Sequence, residues 1–171
     1  MAVGTFELKA LYAALDTRRR QRGLTWAQVT HEINDAGPKV ARHRFATSTI
    51  TGLRTKLVAE GAGVLQMLRW LGRSPESILA ACPQTLLSES ALPDADHDEV
   101  LRFDTRKLYE ALDKHRTTRG LSWEQVALET GVPASHARGL ARGGRTGFPG
   151  VVQLTLWLDE PVTRFVRRSP Y

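Results

Sequence analysis

The sequence predicts an all-α protein made of two tandem copies of one small helical unit, each with about five short helices. Three observations lead to this prediction: an internal duplication, apolar residues at helical spacing, and the lack of any sustained alternation of apolar and polar residues. The last observation predicts that the chain has no β-sheet. Its 171 residues are enough for two domains that each bury a small core.

The composition excludes several classes of protein. The chain is 42% hydrophobic and 25% charged, which is ordinary for a soluble globular protein. The single cysteine, Cys82, allows neither an intrachain disulfide nor a cysteine-based zinc site, and the five histidines show no metal-ligand spacing. No apolar run approaches the roughly 18–20 residues of a membrane helix, and a signal peptide is not recognisable. We expect a cytoplasmic protein without metal, cofactor or membrane contact.

Charge divides the chain into two basic lobes and a short acidic segment. The net charge is +6; residues 1–85 and 101–171 carry +6 and +5, whereas residues 86–100 carry −5. Two basic modules on one chain suit a polyanion such as nucleic acid, although the same charges also serve solubility. This pattern predicts domains at residues 4–81 and 102–168, joined by an acidic linker at 82–101.

The duplication is visible residue by residue. Phe6–Val29 aligns with Phe103–Val126 at an offset of 97 residues, and 13 of the 24 positions are identical. The similarity resumes at an offset of 87 residues, where these residues recur: Ser48, Gly52, Leu53, Gly63, Val64, Gln66, Trp70 and Leu71. The change of offset places a ten-residue insertion in the first copy, near residues 34–44.

The second copy predicts five helical segments. An amphipathic first helix ends at Gly120, and Ser122 with Gln125 has the spacing of a capping box at the start of a second helix, Trp123–Thr130. The later segments are a third helix at Ala134–Arg142, a fourth at Gly150–Leu158 and a short last helix at Val162–Arg167.

The first copy predicts the same path. Thr25 and Gln28 repeat the capping box, and the second helix is expected to end near Ile33-Asn34, before the insertion. The insertion is either a surface loop or an added arm. The third and fourth helices are expected at Thr47–Thr55 and Gly63–Leu71.

Small residues at fixed spacing surround the turn between the second and third helices of the second copy. Ala127 lies in the middle of the second helix, Gly131 and Val132 form the turn, Ser135 begins the third helix and Gly143 follows it. This pattern resembles the λ-repressor/Cro-like (XRE) helix-turn-helix family. The resemblance implies two tandem λ-repressor-like helix-turn-helix domains. A bacterial, nucleoid-associated transcriptional regulator would use them on double-stranded DNA as an intramolecular pseudo-dimer.

The resemblance assigns base contacts to the third helix of each copy. The candidates for reading bases are Thr47, Ser48, Thr49, Ala134, Ser135, His136 and Arg138. Most of these side chains are small, and Arg138 is the only one of the guanine-reading type. We therefore expect limited direct readout of sequence.

Phosphate contacts are expected around the capping boxes, the insertion and the loop after the third helix. The candidates are Thr25, Trp26, Gln28, Arg42, Arg44, Arg54, Lys56, Ser122, Trp123, Gln125, Arg142 and Arg145. Trp26 and Trp123 stand where the family often has glutamine, and each is either a packing residue or an indole N–H donor to phosphate. The basic run 18–22 is either a solvated helix end or a further phosphate contact.

Other functions remain open at this point. The small residues of the third helix and the interrupted first turn also suit a protein-interaction module, and phosphate contacts alone would suit a DNA-coating protein of low specificity. A homodimer or a partner regulator is compatible with either function. No serine, histidine and acid occur in a recognisable catalytic arrangement, so we expect no enzyme.

Overall fold

The two copies follow the same order of helices. The computed structural model describes residues 6–36, 44–79, 91–96, 98–144 and 146–170. The helices of the first copy are α1 (Leu8–Gln21), α2 (Trp26–Ala36), α3 (Thr47–Thr51) and α4 (Gly61–Leu71). Those of the second copy are α5 (Thr105–Thr118), α6 (Trp123–Thr130), α7 (Ala134–Gly139) and α8 (Phe148–Trp157). Short 3-10 turns lie at Gly52–Arg54, Glu76–Ile78, Leu140–Arg142 and Val162–Phe165.

Both predicted capping boxes are confirmed. In the second copy, Gln125 N donates to Ser122 Oγ at 3.2 Å and Ser122 N donates to Gln125 Oε1 at 2.7 Å. In the first copy, Gln28 N donates to Thr25 Oγ1 at 3.2 Å and Thr25 N donates to Gln28 Oε1 at 2.8 Å. Each box satisfies backbone N–H groups that have no partner within the helix, which explains why α2 and α6 begin where they do.

Several helix boundaries differ from the prediction. Helix α8 begins at Phe148, two residues before Gly150, because Pro149 occupies the first turn, where a missing N–H costs no hydrogen bond. Helix α4 likewise begins at Gly61. Helix α2 continues to Ala36, past the expected end near Ile33-Asn34.

The expectation of no β-sheet is wrong. Strands β1 (Glu99–Phe103) and β2 (Val166–Pro170) pair antiparallel, with Arg102 opposite Arg167 and Phe103 opposite Val166. The expected last helix is therefore only the turn Val162–Phe165, which runs directly into β2. Sequence periodicity missed the pair because each strand has five residues and its partner is far away in the chain.

The acidic segment between the copies is packed where the structure describes it. Strand β1 starts at Glu99, inside the segment 82–101, and Leu92 and Ala95 are partly buried against the hydrophobic core. Arg69 Nη2 on α4 donates to the carbonyl oxygen of Ala95 at 2.9 Å. Cys82 lies outside the described residues. One core cluster includes buried residues of both copies, so the copies pack together.

A reciprocal pair of hydrogen bonds joins the two copies. Gly61 N donates to Thr146 O, and Phe148 N donates to Ala59 O, both at 2.9 Å. Thr146 and Phe148 are the counterparts of Ala59 and Gly61 at the offset of 87 residues. The exchange of equivalent bonds is what a local two-fold axis produces. We call residues 59–61 and 146–148 the copy interface.

Aromatic packing at the copy interface departs from this symmetry. The Phe148 ring lies 4.6 Å from the Phe6 ring and 5.5 Å from the Phe103 ring, measured between centroids. Gly61, the counterpart of Phe148, has no side chain, and a Cβ built there would lie 2.5 Å from Cε2 of Phe103. The second copy therefore contributes the Phe148 ring. The first copy has Gly61 at the equivalent position, and this glycine leaves space for the Phe103 ring.

Candidate functional site

The predicted base-reading residues lie on two short helices that follow differently built turns. In the second copy, Gly131 adopts a left-handed conformation with φ of 72°, and Val132 N donates to Thr130 Oγ1 at 3.1 Å. In the first copy, Asn34 closes the longer connection: its Nδ2 donates to Phe45 O at 3.0 Å, and Phe45 N donates to its Oδ1 at 2.7 Å. These two bonds join α2 to the residue that lies shortly before α3.

The base-reading candidates differ in exposure. Ser48, Ser135, His136 and Arg138 are exposed, whereas Thr47, Thr49 and Ala134 are partly buried. The structure therefore leaves one small hydroxyl exposed on α3, and a hydroxyl, an imidazole and a guanidinium exposed on α7.

The strongest base-reading candidate already has a partner. Arg138 on α7 forms an ion pair with Glu124 on α6, across the turn between the two helices. The backbone N–H of Glu124, followed by the Arg138 guanidinium, holds the pKa of this carboxyl below its ordinary value. Glu124 therefore stays ionised near neutral pH, and a base contact by Arg138 would have to break or share this pair.

The capping residues are committed to local structure. The side chains of Thr25, Gln28, Ser122 and Gln125 hold the starts of α2 and α6 through the bonds described above. A phosphate contact by these residues could use only those polar atoms that do not take part in the capping bonds.

The two tryptophans beside the capping boxes are stacked in equivalent positions. Trp26 lies 5.1 Å from Tyr12, and Trp123 lies 5.5 Å from Tyr109, between ring centroids, at interplanar angles of 26° and 20°. Both are partly exposed, and neither indole N–H has a hydrogen-bond acceptor among the residues described. The packing role and the donor role are therefore compatible.

The remaining basic candidates have different environments. Arg44 forms an ion pair with Asp35 at 3.3 Å, and the Arg54 guanidinium lies 5.7 Å from the centre of the Tyr12 ring. Lys56 is exposed and folds over Gly52, and Arg142 is exposed with no partner in the described part of the chain. Arg42 and Arg145 lie outside the described residues.

The arginines of the basic run at the end of α1 have partners within the chain, and the Arg20 side chain remains 74% exposed. Arg18 Nη1 donates to Leu71 O at 2.6 Å, Arg19 and Arg20 contact Asp16, and Arg22 contacts Glu32. These contacts favour a structural role for the run over phosphate contact.

Sequence reasoning missed a three-residue network that occurs once in each copy. Arg22 and the indole N–H of Trp70 donate to Glu32, at 2.5 and 2.9 Å. The equivalent residues of the second copy are Arg119, Trp157 and Glu129, with distances of 2.7 and 2.7 Å. The recurrence of Glu32 as Glu129 at the offset of 97 residues was the available signal. The network links the first, second and fourth helices of each copy.

Sequence reasoning also missed a cluster of arginines around a pocket of the second copy. Arg102, Arg106, Arg142 and Arg167 line this pocket, and only Arg142 was a predicted site residue. The cross-strand pairing of Arg102 with Arg167 could not be read without the sheet.

The described residues form neither a metal-binding cluster nor a membrane-spanning helix. No group of three or more histidine, cysteine, aspartate and glutamate side chains is placed to hold a metal ion there. No helix in the same ranges has the length and apolar character needed to cross a bilayer.

Comparison with models of protein families, with curated proteins and with solved structures found no match to this chain.

Proposed function

We propose that the chain binds double-stranded DNA through two tandem λ-repressor-like helix-turn-helix domains and acts as a transcriptional regulator. The observation that carries the proposal is the reciprocal pairing of the two copies at Gly61–Thr146 and Phe148–Ala59. A local two-fold axis gives two equivalent helix pairs opposite orientations, as in the dimers that bind inverted half-sites of DNA. Here a single chain provides both halves.

Two copies in one chain can bind DNA tightly together even when each copy alone binds it weakly. The exposed polar groups of α3 and α7 are few, so each copy would discriminate bases modestly. When one copy is bound, the second acts at a high effective concentration, and the two affinities combine. The proposal therefore requires both copies to face the same duplex.

Basic side chains and indole donors that are exposed near the helix pairs support the proposal. Lys56 and Arg142 are exposed close to the ends of α3 and α7, and the indole N–H groups of Trp26 and Trp123, at the starts of α2 and α6, have no acceptor among the described residues. Phosphate contacts of this kind position a protein on DNA without reading sequence. Each one adds about 0.9 to the slope of log affinity against log salt.

The deciding experiment is a fluorescence-anisotropy titration of the full chain against a pool of random duplexes at two salt concentrations, with sequencing of the bound fraction. We expect salt-sensitive binding and an enriched motif with two unequal half-sites in inverted orientation. Arg138→Ala should blur one half-site only. Arg168→Ala, which removes the same charge from β2, is the matched control and should leave the motif unchanged.

Other outcomes contradict the proposal in distinguishable ways. Salt-sensitive binding without an enriched motif would identify a DNA-coating protein, because phosphate contacts alone carry no sequence preference. A motif with half-sites in direct orientation would contradict the two-fold arrangement. No binding at low salt would exclude DNA as the ligand.

One observation favours the second candidate, a protein-interaction module. Leu128 on α6 is 86% exposed, on the same helix as Glu124, whose ion pair occupies Arg138. An apolar side chain beside a neutralised charge suits a protein partner better than a phosphate backbone. If DNA binding is absent, Leu128→Lys in a partner pull-down tests this candidate, with His31→Lys at the equivalent position of the first copy as control.

A further inference from the structure

Two arginines face each other across the small sheet. Arg102 on β1 and Arg167 on β2 are direct cross-strand partners, so their side chains leave the same face of the sheet. Like charges placed directly opposite each other are unfavourable. Nε of Arg102 is also buried, with no hydrogen-bond partner in the part of the chain that the structure describes. The placement of Arg102 opposite Arg167 is therefore unfavourable in free energy. The hydrogen bonds of the strand pair do not explain it.

Two more arginines reach the same place from the helices. Arg106 is in the first turn of α5, and Arg142 ends the turn that follows α7. Gly143 has a φ of 73°, and a Cβ built there would lie 3.3 Å from Nε of Arg106. The lack of a side chain at Gly143 therefore leaves space for the Arg106 side chain beside the pocket.

The four guanidinium groups have no carboxylate partner among the described residues. Asp104 also lines the pocket, but its Oδ1 accepts from Lys107 N at 3.1 Å as the cap of α5. Glu60 lines the adjoining cavity beside Arg102. By contrast Arg168, on the opposite face of β2, lies 3.9 Å from Glu99.

We propose that Arg102, Arg106, Arg142 and Arg167 form a binding pocket for a phosphate group. The pocket has a volume of about 420 Å³, within the range of about 300–1,000 Å³ typical of small-ligand sites. Guanidinium groups bind phosphate oxygens through paired hydrogen bonds, and an anion between them removes their mutual repulsion.

Either of two ligands could supply the phosphate group: a small phosphorylated molecule or the DNA backbone. Both satisfy the same guanidinium groups, and this inference does not rest on the proposed function. The first copy has lysine at the position of Arg106 and threonine at that of Arg142, so the pocket belongs to the second copy. It would make the second copy the stronger anion-binding half.

The first test uses the full chain with sodium pyrophosphate as the probe and sodium chloride at matched ionic strength as the reference. We expect pyrophosphate to raise the melting temperature and to give measurable heat in isothermal titration. Arg142→Gln and Arg102→Gln should each weaken pyrophosphate binding at least fivefold. Arg168→Gln removes the same charge from the opposite face of the sheet and should bind like the parent. Arg142 is exposed, so its variant keeps the fold even if Arg102→Gln does not.

The second test measures duplex DNA binding by the same variants over a range of salt. If the backbone supplies the phosphate, Arg142→Gln lowers the slope of log affinity against log salt by about 0.9, and Arg168→Gln does not. Pyrophosphate binding without DNA binding would support the pocket and refute the proposed function. DNA binding with an unchanged slope, together with no pyrophosphate binding, would overturn the pocket and leave the function standing.

Discussion

Glu32 and Glu129 lie 97 residues apart in the chain, and each holds an arginine and a tryptophan in the same geometry. The arginines, Arg22 and Arg119, also lie over the rings of the same tryptophans, at 5.8 and 5.5 Å from the ring centres. The duplication therefore extends from backbone elements to a complete side-chain network. Both copies have kept the same way of joining their first, second and fourth helices.

Because of this network, we expect the free energy of unfolding to decrease as the pH is lowered. Hydrogen bonds from the arginine, then from the tryptophan, hold the pKa of Glu32 and of Glu129 below the ordinary value. Their stabilisation is therefore complete above the ordinary glutamate pKa and is lost as the pH falls through the lowered one.

We expect Glu32→Gln to lower the free energy of unfolding at neutral pH by about 1 kcal/mol or less, since the pair is partly exposed. The difference from the parent should shrink as the pH falls below the ordinary glutamate pKa. Urea denaturation across this range measures both values, and Glu129→Gln should behave in the same direction. A difference that grows in acid would contradict the assigned role.

Glu76 predicts the opposite pH dependence. The residue is 1% exposed; Oε1 accepts from Val162 N at 2.5 Å, while Oε2 is buried and has no partner among the described residues. Burial raises the pKa of this carboxyl, so stability is complete below the ordinary pKa and is lost as the pH rises through the raised one.

Glu76→Gln keeps an oxygen for Val162 N and removes the charge. We expect it to equal or exceed the parent in unfolding free energy at neutral pH and to lose this advantage in acid. Chemical denaturation at the two pH values is the measurement, with Glu110→Gln, an exposed site on α5, as control. Strong destabilisation at neutral pH would show that the carboxylate form is required.

A methyl group at the copy interface should be costly. Gly61→Ala places a Cβ against the Phe103 ring, and overpacking of this kind costs roughly 1–3 kcal/mol. Gly139→Ala is the control, because a Cβ there meets nothing within 4 Å. It should stabilise the protein by roughly 0.4–1 kcal/mol. Equal effects in urea denaturation would refute the close approach at Gly61.

The capping boxes give a prediction for both copies. Ser122→Ala and Thr25→Ala each remove the side-chain acceptor for the first turn of a helix, which typically costs about 1 kcal/mol. Thermal and urea unfolding measure the loss, and Thr118→Ala at the exposed end of α5 serves as control. An unchanged midpoint in both variants would show that water replaces the caps.

If the chain binds DNA as proposed, the ion pair of Arg138 with Glu124 should limit its affinity. Glu124→Gln frees the Arg138 guanidinium and removes a negative charge from α6, so DNA affinity should rise. Glu110→Gln changes the net charge equally and corrects for that general effect. In the anisotropy assay, an equal rise in both variants would mean that Arg138 contacts no base.

The helical units and their repetition can be predicted from the order of the residues alone. Capping boxes, glycines and apolar spacing are local signals, because the atoms that satisfy a helix end lie within a few residues of it. The start of α6 at Trp123 and its end before Gly131 follow from such signals. A side-chain interaction such as that of Glu32 with Trp70 carries no local signal and becomes visible only when the two copies are compared.

The contacts between the two copies and the clustering of arginines depend on the folded arrangement of the helices and strands. The strand pair, the Gly61–Phe103 contact and the pairing of Arg102 with Arg167 each join residues far apart in sequence. Sequence periodicity does not predict such contacts, because their free energy depends on which surfaces meet after the helices have formed. The same physics decides which arginines are neutralised and which remain available: Arg22 meets a carboxylate, and Arg142 meets none in the described chain.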